Sequence, residues 1–328
     1  MLSTQQLSVP LIAGLSVITT TSLLYYIYTK TRKNFVKVCN VKQLFIYPIK
    51  AVKGVEVPHL EITKYGVKYG VFKDRSWVIL DGNNRWIGIK HEPRLALTRS
   101  QIIGDELWID GPDMPTLKLK YIENIDNHSV VSLRMYGQEI NGLDCGPEVN
   151  HWFQTYLNND SIRLVQHHSD FDYRDTNSDK RRPDDREFPI IYQNKSGLHL
   201  VNERSVADLN SRFTEGADHV THENFRPNLL VDYPEPWTED TWKWMSINGV
   251  NFKRLLSCDR CPSTTVNTDT GVKNMETLTA LKSFRPPKGI TKSKGLGPSF
   301  GVIFGHLSHG VINVDDSISV IFGPNDVD

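Results

Sequence analysis

The chain has 328 residues, 39% hydrophobic and 10% aromatic, and sets 38 Lys and Arg against 38 Asp and Glu. That composition excludes a wholly disordered chain, and a net charge of zero excludes a nucleic-acid-binding surface spread over the whole molecule. Four cysteines are too few for a disulfide scaffold, and the length suits one large domain or two ordinary ones.

The zero hides an asymmetry. Residues 1–55 carry seven basic side chains and no acidic one, which leaves 31 basic and 38 acidic groups for the rest. Val9 to Tyr28 is a 20-residue run without a charge, long enough to cross a bilayer as a helix. Tyr25, Tyr26 and Tyr28 stand at one end, where rings favour the interface, and Lys30, Arg32 and Lys33 come directly after. A cleavable signal would place its positive charge before the apolar run, and none is there. The expectation is a membrane anchor through residues 9–28 with the body in the cytosol. The composition does not separate the outer mitochondrial membrane from the ER or peroxisome.

Residues from Val38 to about Tyr136 read as strands. Trp77–Leu80, the turn Asp81-Gly82-Asn83-Asn84 and Arg85–Ile87 form a predicted hairpin. Leu107–Ile109 and Leu117–Leu119 form another, and Val131, Leu133 and Met135 alternate as in a half-buried strand. Pro147 then opens a helix whose Val149, Trp152, Phe153, Tyr156 and Leu157 make one apolar stripe, which is core. Residues 167–187 hold seven acidic and five basic residues and read as an exposed connecting loop. Beyond it, helices are expected near Glu203–Phe213 and Met275–Phe284. Strands are expected at Pro227–Asp232, Asn251–Leu256, Gly301–Ile303 and Ser317–Phe322. Short strands with few helices make this a mainly β, α+β chain of barrel type.

Four clusters carry the chemistry. Cys258-Asp-Arg260-Cys261 ends an apolar strand, and Arg260 is expected to lower the Cys258 thiol pKa and favour a metal-binding thiolate. Zinc, a redox pair and two structural cysteines are the other readings of that motif; His306-x-x-His309 lies 44 residues beyond, outside finger-like spacing. Asn224-Phe-Arg226-Pro-Asn228 should project Arg226 from an extended turn, as an Arg fork for carboxylate or phosphate. Tyr47-Pro-Ile-Lys50-Ala51-Val-Lys53-Gly54 comes after a strand and could hold an anion, and Lys73-Asp-Arg75-Ser-Trp77 is the fourth cluster. Gly295-Leu-Gly297-Pro-Ser-Phe-Gly301 fails as a dinucleotide fingerprint, because Pro298 intrudes and the third glycine is displaced.

In this order the clusters resemble the MOSC family of molybdenum-cofactor proteins, and most nearly its amidoxime-reducing branch on the outer mitochondrial membrane. The resemblance runs from about Val38 to the C-terminus. It implies a MOSC β-barrel domain packed on a β-rich N-terminal domain. The expected layout is an anchor and neck at 1–37, the N-terminal domain at 38–166, a polar loop at 167–187 and the MOSC domain at 188–328. It implies one molybdenum on molybdopterin, with Cys258 as the metal's thiolate ligand and Asn194 beside it at the catalytic centre. Lys50, Arg75, Lys195, Ser196, Arg226, Asn228 and Arg285 would bind the cofactor. It also implies reduction of small N-hydroxylated compounds (amidoximes, hydroxylamines and N-hydroxyguanidines) with electrons from cytochrome b5 and NADH-cytochrome b5 reductase. The alternative is a cofactor-binding or sulfur-carrier protein without reductase activity. Three residues depart from the pattern: Ala51 for Ser, Asp259 for a small polar residue, and Asn194 for Asp.

Overall fold

The computed structural model describes residues 34–174, 188–195, 197–287, 292 and 295–324. The anchor at Val9–Tyr28, residues 175–187 of the polar tract, and Ser196 lie outside the described residues. The chain divides into two units, Met1–Val36 and Lys37–Asp328. Among the described residues no helix is long and apolar enough to cross a membrane.

Seven strands close on themselves. They are β1 (Val36–Ile46), β2 (Leu198–Asn202), β3 (Leu229–Val231), β4 (Trp242–Ile247), β5 (Val250–Asp259), β6 (Ser299–His306) and β7 (Ser317–Phe322). Their order is β3-β2-β6-β5-β4-β7-β1, and β1 pairs back onto β3, antiparallel, to complete a barrel. β2 and β3 run parallel, whereas β2–β6, β6–β5, β5–β4 and β4–β7 are antiparallel. Closure removes the unpaired edges an open sheet would expose. Leu44, Ile46, Leu200, Met245, Phe252, Val302 and Val320 fill the interior, all at 1% exposure or less.

Beside the barrel stands a four-stranded half-barrel ordered Val130–Met135, Gln138–Asp144, Arg163–Gln166, Trp77–Leu80. The helix Pro147–Leu157 covers it, with Gly146 (φ 95) at its N-cap and left-handed Asn158 at its end. Its Trp152 and Tyr156 donate to Pro115 O and Arg94 O, both at 2.6 Å, so the stripe is core as expected. The two halves are interleaved. β1 comes from the N-terminal half yet is a stave of the C-terminal barrel, and Gly310–Asn313 returns to pair with His59–Thr63.

Most expected elements are present, with four differences. Arg85–Ile87 pairs as expected but only briefly: Asp81 N donates to Arg85 O, Ile87 N to Ile79 O, and Leu80 bridges Trp86, while the full ladder partner of Trp77–Leu80 is Arg163–Gln166. The polar tract is not uniformly exposed, because His167, His168 and Arg174 are buried. The strands Leu198–Asn202, Trp242–Ile247 and Gly310–Asn313 went unforeseen. Arg226 is left-handed rather than extended (φ 57), because it caps the short helix His222–Phe225 by donating its N–H to His222 O. Pro227 bars a further helical turn, and the left-handed cap is the alternative exit.

Candidate functional site

A cavity of about 340 Å³ opens at the barrel rim, where Lys50–Ala51, Asp74–Arg75, Trp86–Lys90, Gln193–Lys195, Phe225–Arg226 and Cys258–Cys261 meet. Four of its residues, Ala51 (φ 75), Arg75 (φ 49), Tyr136 (φ 52) and Arg226 (φ 57), are non-glycine residues in the left-handed region. Such strain, on the order of 1 kcal/mol per residue, clusters where a site over-determines the backbone. A larger groove of about 730 Å³ passes Lys53, Glu203 and Asp269. It holds no thiol, and its Lys53 is already engaged by Glu223 (3.1 Å) and Asp269 (3.5 Å).

The cavity floor is organised by Asp74, 3% exposed. Its Oδ1 accepts from Tyr47 N (3.0 Å) and Asn228 Nδ2 (3.2 Å), and its Oδ2 pairs with Arg75 Nη1. Asn228 Nδ2 also donates to Phe45 O (3.1 Å), so the side chain ties β1 to the start of β3. Arg75 and Arg226 lie over the Tyr47 ring at 4.2 and 4.4 Å, and Arg226 Nη1 donates to Val52 O at 2.7 Å. Burial first, then the neighbouring Arg75, brings the Arg226 pKa down to about 10. Two crowded guanidinium groups share one carboxylate, and an anion would relieve that imbalance. The donor set therefore fits a phosphorylated group.

Arg260 is a third buried cation. It donates to Phe300 O (Nε, 2.9 Å) and Phe225 O (Nη1, 3.1 Å). Its Nη2 stands 2.7 Å from His199 Nε2. Since Arg has only donors, His199 must accept there and carry its proton on Nδ1, 3.3 Å from Arg226 O. Burial, then Arg260, holds the His199 pKa well below its usual value, so the ring is neutral. The chain turns back tightly here: a Cβ on Gly297 would fall 1.8 Å from Arg260 O.

Cys258 lies opposite a β-bulge of β6. The β5–β6 register steps from Ser257↔Val302 to Asp259↔Ser299, so Phe300 and Gly301 together face the single residue Cys258, which is among the cavity residues. Bulges re-aim side chains beside sites in this way. The expected drop in thiol pKa is reversed: burial pushes the Cys258 thiol up, and the cation Arg260 offsets this only in part. Arg260 spends its donors on carbonyls and His199. All four cysteines are free, and Cys261 is exposed. Among the described residues no three His, Cys, Asp or Glu side chains gather as a metal site.

The opposite wall is Lys50, Asn194, Tyr136 and Trp86. Lys50 Nζ donates to Tyr192 O (2.8 Å) and to Asn194 Oδ1, and sits 4.9 Å from the Trp86 ring and 5.5 Å from the Tyr136 ring. Burial, then Arg75, Arg174 and Arg226, drives its pKa well below the usual lysine value. Lys195 is half-buried at the rim, 3.4 Å from Asp259. Sequence reasoning missed Asp74 as the hub, together with Trp86, Tyr136 and His199. These sit on different segments, and their convergence leaves no local pattern.

Arg285 does not line the cavity. It forms a buried ion pair with Asp240 at 2.6 Å and donates from Nε to Ser299 O. Its guanidinium covers Trp237 at 4.6 Å. Beside it Glu239 accepts from Ser205 Oγ (2.6 Å), and burial, then Asp240, pushes its carboxyl from 4.5 up to about 7. The folded chain thus keeps a proton there that the unfolded chain has released above pH 4.5. Stability should fall as pH rises from about 4.5 to 7 and level off beyond. Glu239→Gln should flatten that slope and raise the urea midpoint at about pH 8; an unchanged slope would clear Glu239 of the effect.

Together these features define a β-barrel protein with a thiol placed beside a cationic anion cradle. Residues 38–160 match the MOSC N-terminal beta barrel domain, and residues 187–319 match the MOSC domain. The chain is 35% identical over 294 residues to mitochondrial amidoxime reducing component 2 of Rattus norvegicus, covering 88% of this chain and 85% of that protein. It is 34% identical over 297 residues to mitochondrial amidoxime-reducing component 1 of Homo sapiens, covering 89% and 86%. The chain therefore belongs to the MOSC-domain family that includes the mitochondrial amidoxime-reducing components.

Proposed function

We propose that this chain is a molybdenum-cofactor-dependent reductase of N-hydroxylated compounds, supplied with electrons by cytochrome b5 and NADH-cytochrome b5 reductase. The observation that carries the reading is Cys258, opposite the β6 bulge, lining one cavity with Arg75 and Arg226. When bound, the cofactor supplies the two-electron reduction that cleaves the N–O bond. Cys258 Sγ is its thiolate ligand, and Arg75 and Arg226 hold its phosphate. Asn228 spends its amide on Phe45 O and Asp74, so it positions the cradle rather than touching the occupant. Asn194 has no acid proton to give; Lys50 Nζ, made acidic by its burial, is the proton source on that wall. The site lies on the cytosolic side of the outer mitochondrial membrane, with the anchor at residues 9–28 and the domain limits at 38–166 and 188–328.

The test is direct: purify the full chain, measure molybdenum, and assay benzamidoxime reduction with cytochrome b5, its reductase and NADH. Stoichiometric metal without turnover would replace this reading with a cofactor-binding or sulfur-carrier role. The body is acidic, so an acidic donor should dock at local cations, and Lys90 and Lys195 stand on the cavity wall. Raising ionic strength from about 0.05 to 0.3 M should slow electron delivery severalfold. A rate indifferent to salt would remove that docking mode.

A further inference from the structure

Asn194 is fixed in one orientation. Lys50 Nζ donates both to Tyr192 O and to Asn194 Oδ1, so the amide oxygen is the atom that faces Lys50. The Tyr136 hydroxyl donates to the same oxygen. Both lone pairs of Oδ1 are then used, and Nδ2 is left toward the cavity with two N–H donors.

Tyr136 is held as firmly. It is the first residue of the two-residue turn between the strands Val130–Met135 and Gln138–Asp144, with φ 52 followed by Gly137 at φ 87. Its ring packs on Trp86 at 5.4 Å and under the Arg174 guanidinium at 4.9 Å. Arg174 is 4% exposed and donates from Nη1 to Ile191 O (3.1 Å) and Gln193 O (2.9 Å). It thus braces both the ring and the segment leading into Asn194.

The charge around this pair is one-sided. Among the described residues Lys50, Arg75, Lys90, Lys195, Arg226 and Arg260 line the cavity, and Asp74 and Asp259 oppose them. Asp74 is taken by Arg75 and Asn228, and Asp259 faces Lys195. Among the described residues a cationic ligand meets no spare carboxylate, whereas an uncharged ligand with an oxygen acceptor meets the amide of Asn194.

We propose that the Tyr136–Asn194 pair is the specificity-determining element of the site, admitting an uncharged N–O compound by its oxygen and rejecting a protonated base of the same shape. This rests on the reductase reading of the cavity and sharpens it. Amidoximes are weak bases and enter uncharged; the amidine product is a strong base and protonates, so the same rim hastens its departure. N-hydroxyguanidines, which are more basic, are poorer substrates.

The test uses two probes of one shape that the reaction does not consume, benzamide and benzamidinium. Their binding to the full chain is measured by calorimetry at about pH 7.5, where the amidine is protonated and the amide neutral. Benzamide should bind at least about tenfold tighter, as one uncompensated charge at contact distance implies. Asn194→Asp should reverse the order, and Asn194→Ser, which adds no charge, should keep it. Tyr136→Phe frees the amide to turn and should narrow the gap. Equal binding of the two probes, binding of neither, or an order unchanged in a folded Asn194→Asp chain would each overturn the proposal. Preference without molybdenum or turnover would remove the reductase reading and leave this one standing; turnover without preference would do the reverse.

Discussion

Replacing Cys258 with alanine should abolish benzamidoxime reduction, by a factor of at least about 1,000, and leave the purified chain without molybdenum. The thiol has a weak contact with a backbone carbonyl, Sγ to Asp259 O at 3.9 Å, so little of the strand's pairing depends on it. Its side chain is only partly covered, so the loss of packing is about 1 kcal/mol. Activity and stability therefore separate: the thermal midpoint should move by a few degrees while turnover disappears. Cys258→Ser sharpens the comparison, because it keeps a small polar side chain opposite the bulge and removes only the soft sulfur ligand. Cys261→Ala is the matched control, since that thiol is exposed and contacts Ser263 Oγ, at 3.4 Å. It should retain its metal. Elemental analysis and the reductase assay on the three variants decide the matter, and a Cys258→Ala chain with full metal and turnover would remove the ligand assignment.

The difference between these two cysteines marks what was legible in the sequence. Cys258-x-x-Cys261 with Arg260 was visible as a cluster; both thiols line the cavity, but that Cys258 is partly covered opposite a bulge of β6 while Cys261 is exposed is set by register and packing, not by the motif. Arg260 acts on the thiol in the expected direction, but burial, which a sequence does not show, outweighs it. A sequence shows a cation two residues off; it does not show that His199, Phe225 and Phe300 claim the guanidinium. The helix at Pro147–Leu157 and the strand at Val130–Met135 were readable because each buries one periodic face, a local property. Tyr136 was read only as the end of that strand, since its partners Asn194, Trp86 and Arg174 come from three separate segments. Arg285 is the opposite case: the family pattern places it with the cations, and in the structure it pairs with Asp240 away from the cavity lining.

Asp74→Ala should be the most destabilising single change at the site, lowering the unfolding free energy by about 3–5 kcal/mol. The carboxylate is buried and serves four groups: the backbone of Tyr47, the amide of Asn228 and the adjacent Arg75 directly, and Arg226 through charge. Removing it leaves two guanidinium groups crowded over one tyrosine ring without the carboxylate that balances them. It also strands the Tyr47 N–H in the interior. Asp74→Asn keeps an acceptor for that N–H and should fall between the alanine variant and the wild type. The rim pair offers the contrast, because Lys195 and Asp259 are both partly solvated. Asp259→Ala should cost less than about 1 kcal/mol. Inorganic phosphate separates charge from packing. If the cradle is built for an anion, tens of millimolar phosphate should restore part of the stability lost in Asp74→Asn by binding only the folded chain, and should do little for a core variant such as Phe252→Leu. Urea denaturation of the four variants, with phosphate and with an equal ionic strength of chloride, measures both effects. Equal recovery in chloride would mean that the cradle screens charge without recognising the anion.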